Sequence, residues 1–284
     1  MIIAANLKCN HTRASFARYA AGLGGYLAEL GAAGVNLNAA TASADLGGAL
    51  KGGVEFTASE MAIRTMASLV QDKGATSGAD SAASKFNSLN VIVAAPAACF
   101  CKVSGFELAA QNFYPAANGS FTGETGAEML AEWGIKSVIV GHSERRMLGE
   151  SEEFLRSKFD FAAKRGWRVI YCIGESLSEY ESGASAEVLG ALASNIDLRY
   201  SNLILAYEPI FSIGTGVSAS VEHIGKMLSH LHTLTPAPLL YGGSVSAKNV
   251  SEIVGVANCD GVLVGTASWE LEGFKALIEA GLKI

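Results

Sequence analysis

The chain has 284 residues, 50% hydrophobic and 17% charged, with a formal net charge of −6. No cluster of Lys and Arg interrupts that acidic balance, which argues against nucleic acid or an anionic membrane as partner. A small anionic ligand stays open, because backbone amides bind phosphate whatever the global charge.

The five cysteines, Cys9, Cys99, Cys101, Cys172 and Cys259, are scattered and odd in number. That points away from a disulfide framework and toward a reducing compartment. Cys99-x-Cys101 has no second pair at metal-ligand spacing and reads as two buried thiols without zinc. Met1 to Lys8 has no basic stretch before its short apolar run, so no signal peptide is read there. The longest apolar run, Val91 to Phe100, contains Pro96 and is too short to span a bilayer. A cytoplasmic protein is expected.

Short β-branched runs alternate with helical patterns. Ile2–Asn6 reads as a first strand. An amphipathic helix over about Thr12–Leu30 follows, with Phe16, Tyr19, Leu23, Tyr26, Leu27 and Leu30 near helical spacing. Val91–Ala95 and Leu108–Asn112 are the next strands, then a helix over Glu124–Trp133 and a strand over Ser137–Gly141. A helix over about Glu150–Lys164 leads to strand Arg168–Ile173, and the box Ser176-x-x-Glu179 caps the helix after it. Strand Leu203–Glu208 precedes a helix from about Ser218 to Leu234. Strand Leu239–Tyr241, a helix from about Ala247, strand Gly261–Val264 and a terminal helix complete the series.

Eight nearly continuous apolar strands with crossover connections mean a parallel sheet covered on both faces. Eight units favour a closed α/β barrel over the whole chain, 1–284, although an open doubly wound sheet reads similarly. One stretch breaks the rhythm. Residues 31–90 are rich in Gly, Ala, Ser and Asn and hold one helical pattern, opened by Thr57-x-x-Glu60. They read as an insertion between the first helix and the second strand, at the N-terminal face of a barrel and away from any chemistry.

Chemistry-bearing residues recur where strands end. Asn6 and Lys8 follow the first strand, Gln111 and Asn112 end the third, Gly141-His-Ser-Glu-Arg145 follows the fourth, and Cys172-Ile-Gly-Glu175 ends the fifth. The sixth delivers Glu208 at its tip, immediately before Pro209, which cannot donate to the sheet, and a glycine-hinged loop. Gly242-Gly-Ser-Val245 and Gly265-Thr-Ala-Ser268 follow the last two strands. In a barrel all of these converge on one mouth. The chemistry they suggest is proton transfer, with Glu208 as base, His142 as electrophile or acid and Lys8 as a fixed cation. The segments at Gly214, Ser244 and Gly265 offer backbone N–H groups to an anion. His11, His223, His230 and His232 lack such company, and the last three, in a helical pattern, read as solvated surface residues.

Asn6-x-Lys8, Phe121-Thr-Gly-Glu124, Gly141-His-Ser-Glu-Arg-Arg146, Cys172-Ile-Gly-Glu175, Tyr207 to Gly216, Tyr241-Gly-Gly-Ser-Val245 and Leu263-Val-Gly-Thr-Ala-Ser268 occur in the order of the signature segments of the triosephosphate isomerase family, which the sequence resembles over about Met1–Leu30 and from Val91 onward. The resemblance implies a TIM barrel and a cofactor-free, metal-free interconversion of dihydroxyacetone phosphate and D-glyceraldehyde 3-phosphate. By the same resemblance Glu208 is the base, His142 the neutral imidazole that polarises the carbonyl, Lys8 the cation facing the enediolate and Asn6 the residue positioning it. Gly214, Ser244, Gly265 and Thr266 match the phosphate grip, Pro209–Gly216 the lid, and Ser143 and Glu144 residues supporting the histidine. It also implies a homodimer through the loop 113–123, with Thr122 as an intersubunit contact.

Three positions depart from the family's usual residues: Phe211 stands where Trp is common, Ser212 where Ala is common, and Thr266 where Gly is frequent. Two other readings compete. Gly214-x-Gly216-x-x-Ala219 loosely fits a dinucleotide fingerprint, but such a motif directly follows a strand and opens a helix, whereas Glu208-Pro209 and an apolar loop intervene here. A catalytically weak barrel serving as a scaffold through residues 31–90 is the other, against which the intact Glu208, His142 and Lys8 speak.

Overall fold

The computed structural model describes residues 1–38, 88–213 and 219–283. The strands β1 (Ile2–Asn6), β2 (Asn90–Ala95), β3 (Glu107–Ala110), β4 (Ser137–Val140), β5 (Arg168–Ile173), β6 (Leu203–Tyr207), β7 (Leu239–Tyr241) and β8 (Gly261–Val264) close into one barrel in chain order. Every pairing is parallel, and β1 closes on β8 with Ile2 opposite Gly261. The open doubly wound alternative is therefore excluded. Registers are uneven: β5 and β6 share five residue pairs, whereas β3 and β4 share one, Ala110 with Val138.

Side chains alternate in and out along each strand. Ala4, Ile92, Ala94, Ala109, Ile139, Ile170, Ile204, Ala206, Leu240 and Leu263 form the filling of the barrel. Their neighbours, such as Ile3, Ala5, Val91, Val93, Val169 and Leu205, pack outward against the helices. This is why the strands read as unbroken apolar runs: both faces are dry. The helix Arg13–Ala32 buries Phe16, Tyr19, Leu23, Tyr26, Leu27 and Leu30, as its spacing predicts, and Thr12 caps it. The box at Ser176 and Glu179 caps the helix Leu177–Glu181.

The boundary of the inserted stretch shifts inward. The first helix runs on to Ala32, and β2 begins at Asn90. Leu37 and Leu89 form a parallel bridge, and the amino group of Met1 donates to the Ser88 carbonyl at 2.7 Å, so both flanks are anchored beside the start of β1 and β2. Residues 39–87, with the helix read at Thr57 to Glu60, lie outside the described residues. Cys99 is buried, but Cys101 is only half-buried, which corrects the reading of two buried thiols. No described helix is long and apolar enough to cross a membrane.

Candidate active site

Three strands end earlier than the sequence suggests: β3 stops before Gln111 and Asn112, β4 before Gly141 and β6 before Glu208. β4 ends at Val140, after which Gly141 turns the chain at φ 78°. A side chain at Gly141 would be strained by that φ and would meet the Arg146 guanidinium 2.9 Å away. The turn delivers His142 to the start of the short helix Ser143–Met147, where its Nδ1 accepts the Glu144 N–H at 3.2 Å. A ring nitrogen that accepts carries no proton, so the neutral ring holds its proton on Nε2, which faces the cavity. β6 ends at Tyr207, and the Glu208 N–H still donates to the Ile173 carbonyl at 2.8 Å, which fixes this carboxylate at the tip.

The Glu208 carboxylate Oε1 lies 3.4 Å from His142 Nε2, and both residues are buried. Burial raises the Glu208 pKa above the ordinary carboxylate value, against the opposing pull of His142, the Ser143 amide that donates to it, Lys8 and the Cys172 thiol. Its Oε2 has no hydrogen-bond partner among the described residues. Room for the side chain comes from Gly242, where a Cβ would stand 2.7 Å from Glu208 Cγ. The same burial, with the Glu208 charge second, pushes the Cys172 thiol well up and keeps it protonated.

Lys8 sits beyond the end of β1 in the left-handed region, at φ 49°. Three contacts hold it there. Its N–H donates to Asn6 Oδ1 at 3.1 Å, its carbonyl accepts from Gln111 Nε2 at 3.0 Å, and its Nζ reaches Glu144 Oε1 at 2.7 Å. Glu144 therefore does more than support the histidine; it pairs with the cation of the site from the far side of the barrel.

Asn6, Lys8, His142, Glu208, Ser244, Gly265 and Thr266 all line one cavity of about 360 Å³ at the C-terminal mouth. Ser143 and Glu144 are not among the lining residues, and Gly214 lies outside the described residues, as do Thr215 and Gly216 of the segment Pro209–Gly216. Gly242, Gly243 and Ser244 form one wall; Ser244 Oγ donates to the Ser212 carbonyl at 2.5 Å, tying that wall to the chain after the base. Gly265 faces Lys8, with its missing Cβ position 3.4 Å from Lys8 Cε. Thr266 opens a 3-10 turn, Thr266–Ser268, a conformation that accepts a Cβ without strain. Asn249 also lines the cavity: its Oδ1 accepts the Ser246 N–H at 2.8 Å and its Nδ2 donates to the Ser244 carbonyl at 3.0 Å, bracing the wall.

Sequence reasoning placed His223 on a solvated surface, and the structure corrects this. The His223 side chain is 13% exposed and its Nε2 lies 3.0 Å from Oε1 of the fully buried Glu175. His232 is exposed, as read. His11 is also engaged, with Nε2 at 2.9 Å from the Trp269 carbonyl. Phe211 fills its place at the root of the loop by packing on Tyr180, ring centroids 4.7 Å apart, and Ser212 is buried with its hydroxyl donating to the Pro209 carbonyl at 3.0 Å. The Gly214 to Ala219 fingerprint lies mostly outside the described residues, and what precedes it, a 3-10 turn at Ile210–Ser212, is not a strand.

The family model described as triosephosphate isomerase matches residues 62–281. The chain is 47% identical over 276 residues to the triosephosphate isomerase of Campylobacter curvus, covering 96% of this chain and 95% of that protein. It is 61% identical over 193 residues to the triosephosphate isomerase of Campylobacter concisus, covering 67% of this chain and 85% of the relative. With that of Helicobacter pylori it shares 51% identity over 180 residues, 61% of this chain and 76% of the relative. A closed eight-stranded barrel, a buried carboxylate and an imidazole facing one another at its C-terminal mouth, and these matches together establish that the chain belongs to the triosephosphate isomerase family.

Proposed function

We infer that this chain interconverts dihydroxyacetone phosphate and D-glyceraldehyde 3-phosphate, the aldose–ketose isomerisation of its family. The observation that carries the reading is the Glu208 carboxylate 3.4 Å from His142 Nε2, both residues lining one cavity with Gly243, Ser244 and Gly265. Glu208 removes a proton from the carbon beside the carbonyl. A buried carboxylate with a raised pKa is a stronger base than a solvated one, and its bare Oε2 is free to take the proton. His142 donates from Nε2 to the carbonyl oxygen and regains a proton from the neighbouring hydroxyl, Glu208 returns its proton to the adjacent carbon, and Lys8, positioned by Asn6, faces the developing enediolate charge. The amides of Gly214, Ser244, Gly265 and Thr266 hold the phosphate. These acid–base groups and backbone amides suffice for this route, so it calls for no metal or cofactor.

A coupled spectrophotometric assay tests this. Fast turnover in the native enzyme, lost by about a thousandfold or more in Glu208→Gln, is expected. A folded native protein without turnover would refute it.

The protein acts in glycolysis and gluconeogenesis in the cytoplasm, as one domain over 1–284 interrupted by the inserted stretch. It works as a homodimer through the loop 113–123. In support, the tip of that loop is exposed at Thr122 and Phe121, Phe121 stacks on Tyr114 with centroids 4.1 Å apart, and Met147 and Leu148 stand uncovered in the same monomer. Light scattering coupled to size exclusion should give twice the chain mass, and a monomer at micromolar concentration would remove the dimer.

A further inference from the structure

We propose that His223 is a positioning residue for the base: it holds the buried Glu175 carboxylate, and through it the stretch of chain that carries Glu208. The proposal rests on the reading of Glu208 as the base. Glu175 is fully buried. One of its oxygens, Oε1, receives both the Tyr207 hydroxyl at 2.9 Å and His223 Nε2 at 3.0 Å, while Oε2 has no partner among the described residues. A carboxylate only accepts, so the His223 nitrogen facing it is the donor.

Two groups held by Glu175 belong to the segment that presents the base. Tyr207 is the residue before Glu208, and the Ile210 N–H two residues beyond it donates to the Glu175 main-chain carbonyl at 3.0 Å. A second path runs through aromatic contacts. The Tyr180 ring packs edge-on to His223 with centroids 4.7 Å apart, and the same ring packs on Phe211 at 4.7 Å. His223, on the helix Val221–Leu234, thus braces the segment Tyr207–Phe211 at two points from a helix that contributes nothing to the cavity. Removing one partner of a buried, paired carboxylate leaves a charge that the interior does not stabilise. With one oxygen already bare, Glu175 without His223 must turn toward water, and Tyr207 loses its tether.

The test compares His223→Ala, His223→Gln and His232→Ala, the last an exposed residue on the same helix. Gln presents an N–H donor at similar reach. Expected is a roughly tenfold fall in kcat for His223→Ala with KM within about twofold, near-native kcat for His223→Gln, and no change for His232→Ala. Equal losses of kcat in the Ala and Gln variants, a loss carried by KM alone, or an unchanged kcat in His223→Ala would overturn it. Crystal structures give a readout that needs no turnover: Glu208 moves away from His142 Nε2 in His223→Ala and keeps its place in His223→Gln. An unmoved Glu208 in the Ala variant would also overturn the proposal. Absent turnover in the native protein would instead count against the isomerase reading, with the crystal structures still deciding the role of His223.

Discussion

The two ends of the barrel treat charge in opposite ways. At the N-terminal end, Glu107 of β3 is satisfied on both oxygens, by the Ser137 hydroxyl of β4 and by the Arg168 guanidinium of β5, so three neighbouring strands share one closed network. At the C-terminal end, Glu208 is buried with a raised pKa, its Oε2 and Ser143 Oγ have no partner among the described residues, and Lys8 is held at a positive φ. The same eight strands support both. The difference is that one end has been arranged for stability, while the other holds unsatisfied groups in place because the strands behind them are rigid.

Substitutions at the two ends should therefore split activity from stability. The largest effect belongs to Glu208→Gln, with kcat down by about a thousandfold or more. The same variant should melt higher than the native protein near neutral pH, because a neutral amide avoids the burial that raises the carboxylate pKa. The sign follows from that direction. A raised folded pKa means the protonated form is favoured by folding. Relative to Gln, the native protein is therefore penalised only as pH rises from the unfolded carboxylate value through the folded one. The melting difference should vanish near pH 4 and grow above it; a Gln variant that melts lower at pH 8 would break the contrast. By the same direction, kcat/KM should fall on the acid side with a midpoint above the ordinary carboxylate value.

Lys8→Met comes next, with kcat/KM about a hundredfold down and the melting temperature within a degree or two of native, since its partner Glu144 is half exposed. Lys158→Ala should do the reverse. Lys158 is 2% exposed, pairs with Glu150 and donates to Asn112 Oδ1 at 2.6 Å, so its loss should cost about 3 kcal/mol in urea unfolding with kcat little changed. Glu107→Ala should cost about 1–2 kcal/mol, again without touching kcat, because its partners are only partly exposed. Smallest is Thr266→Gly, expected to change KM by less than about twofold, because the 3-10 turn at this site suits either residue.

Much of the molecule is legible from sequence, for physical reasons that also mark where reading stops. Strands β1, β5, β7 and β8 have the bounds their apolar runs suggest, since a strand buried on both faces has no polar residue until it ends. β6 stops one residue short of Glu208, and the departure of that carboxylate from the sheet brings it to the mouth, while β3 and β4 stop short of Gln111 and Gly141. Asn6, Lys8, His142 and Glu208 are visible because each is a lone reactive side chain at the end of an apolar run. What joins them is not visible. The Lys8–Glu144 pair spans 136 residues and the His223–Glu175 contact 48, and no local pattern encodes either. The helical spacing of His223 says which helix it lies on, but not that a buried carboxylate waits beneath it.

The single pair that joins β3 to β4 has a mechanical meaning. A closed ring under load parts where it is stitched least, and here that place is known to within two strands. The Glu107 network bridges the same seam at one end, and the loop 113–123 leaves from its other end. If that loop is gripped by a second copy, the neighbour acts as a strap across the weakest join of the ring. Diluting the dimer should then speed amide exchange first at Ser137–Val140, before any of the five pairs between β5 and β6 gives way.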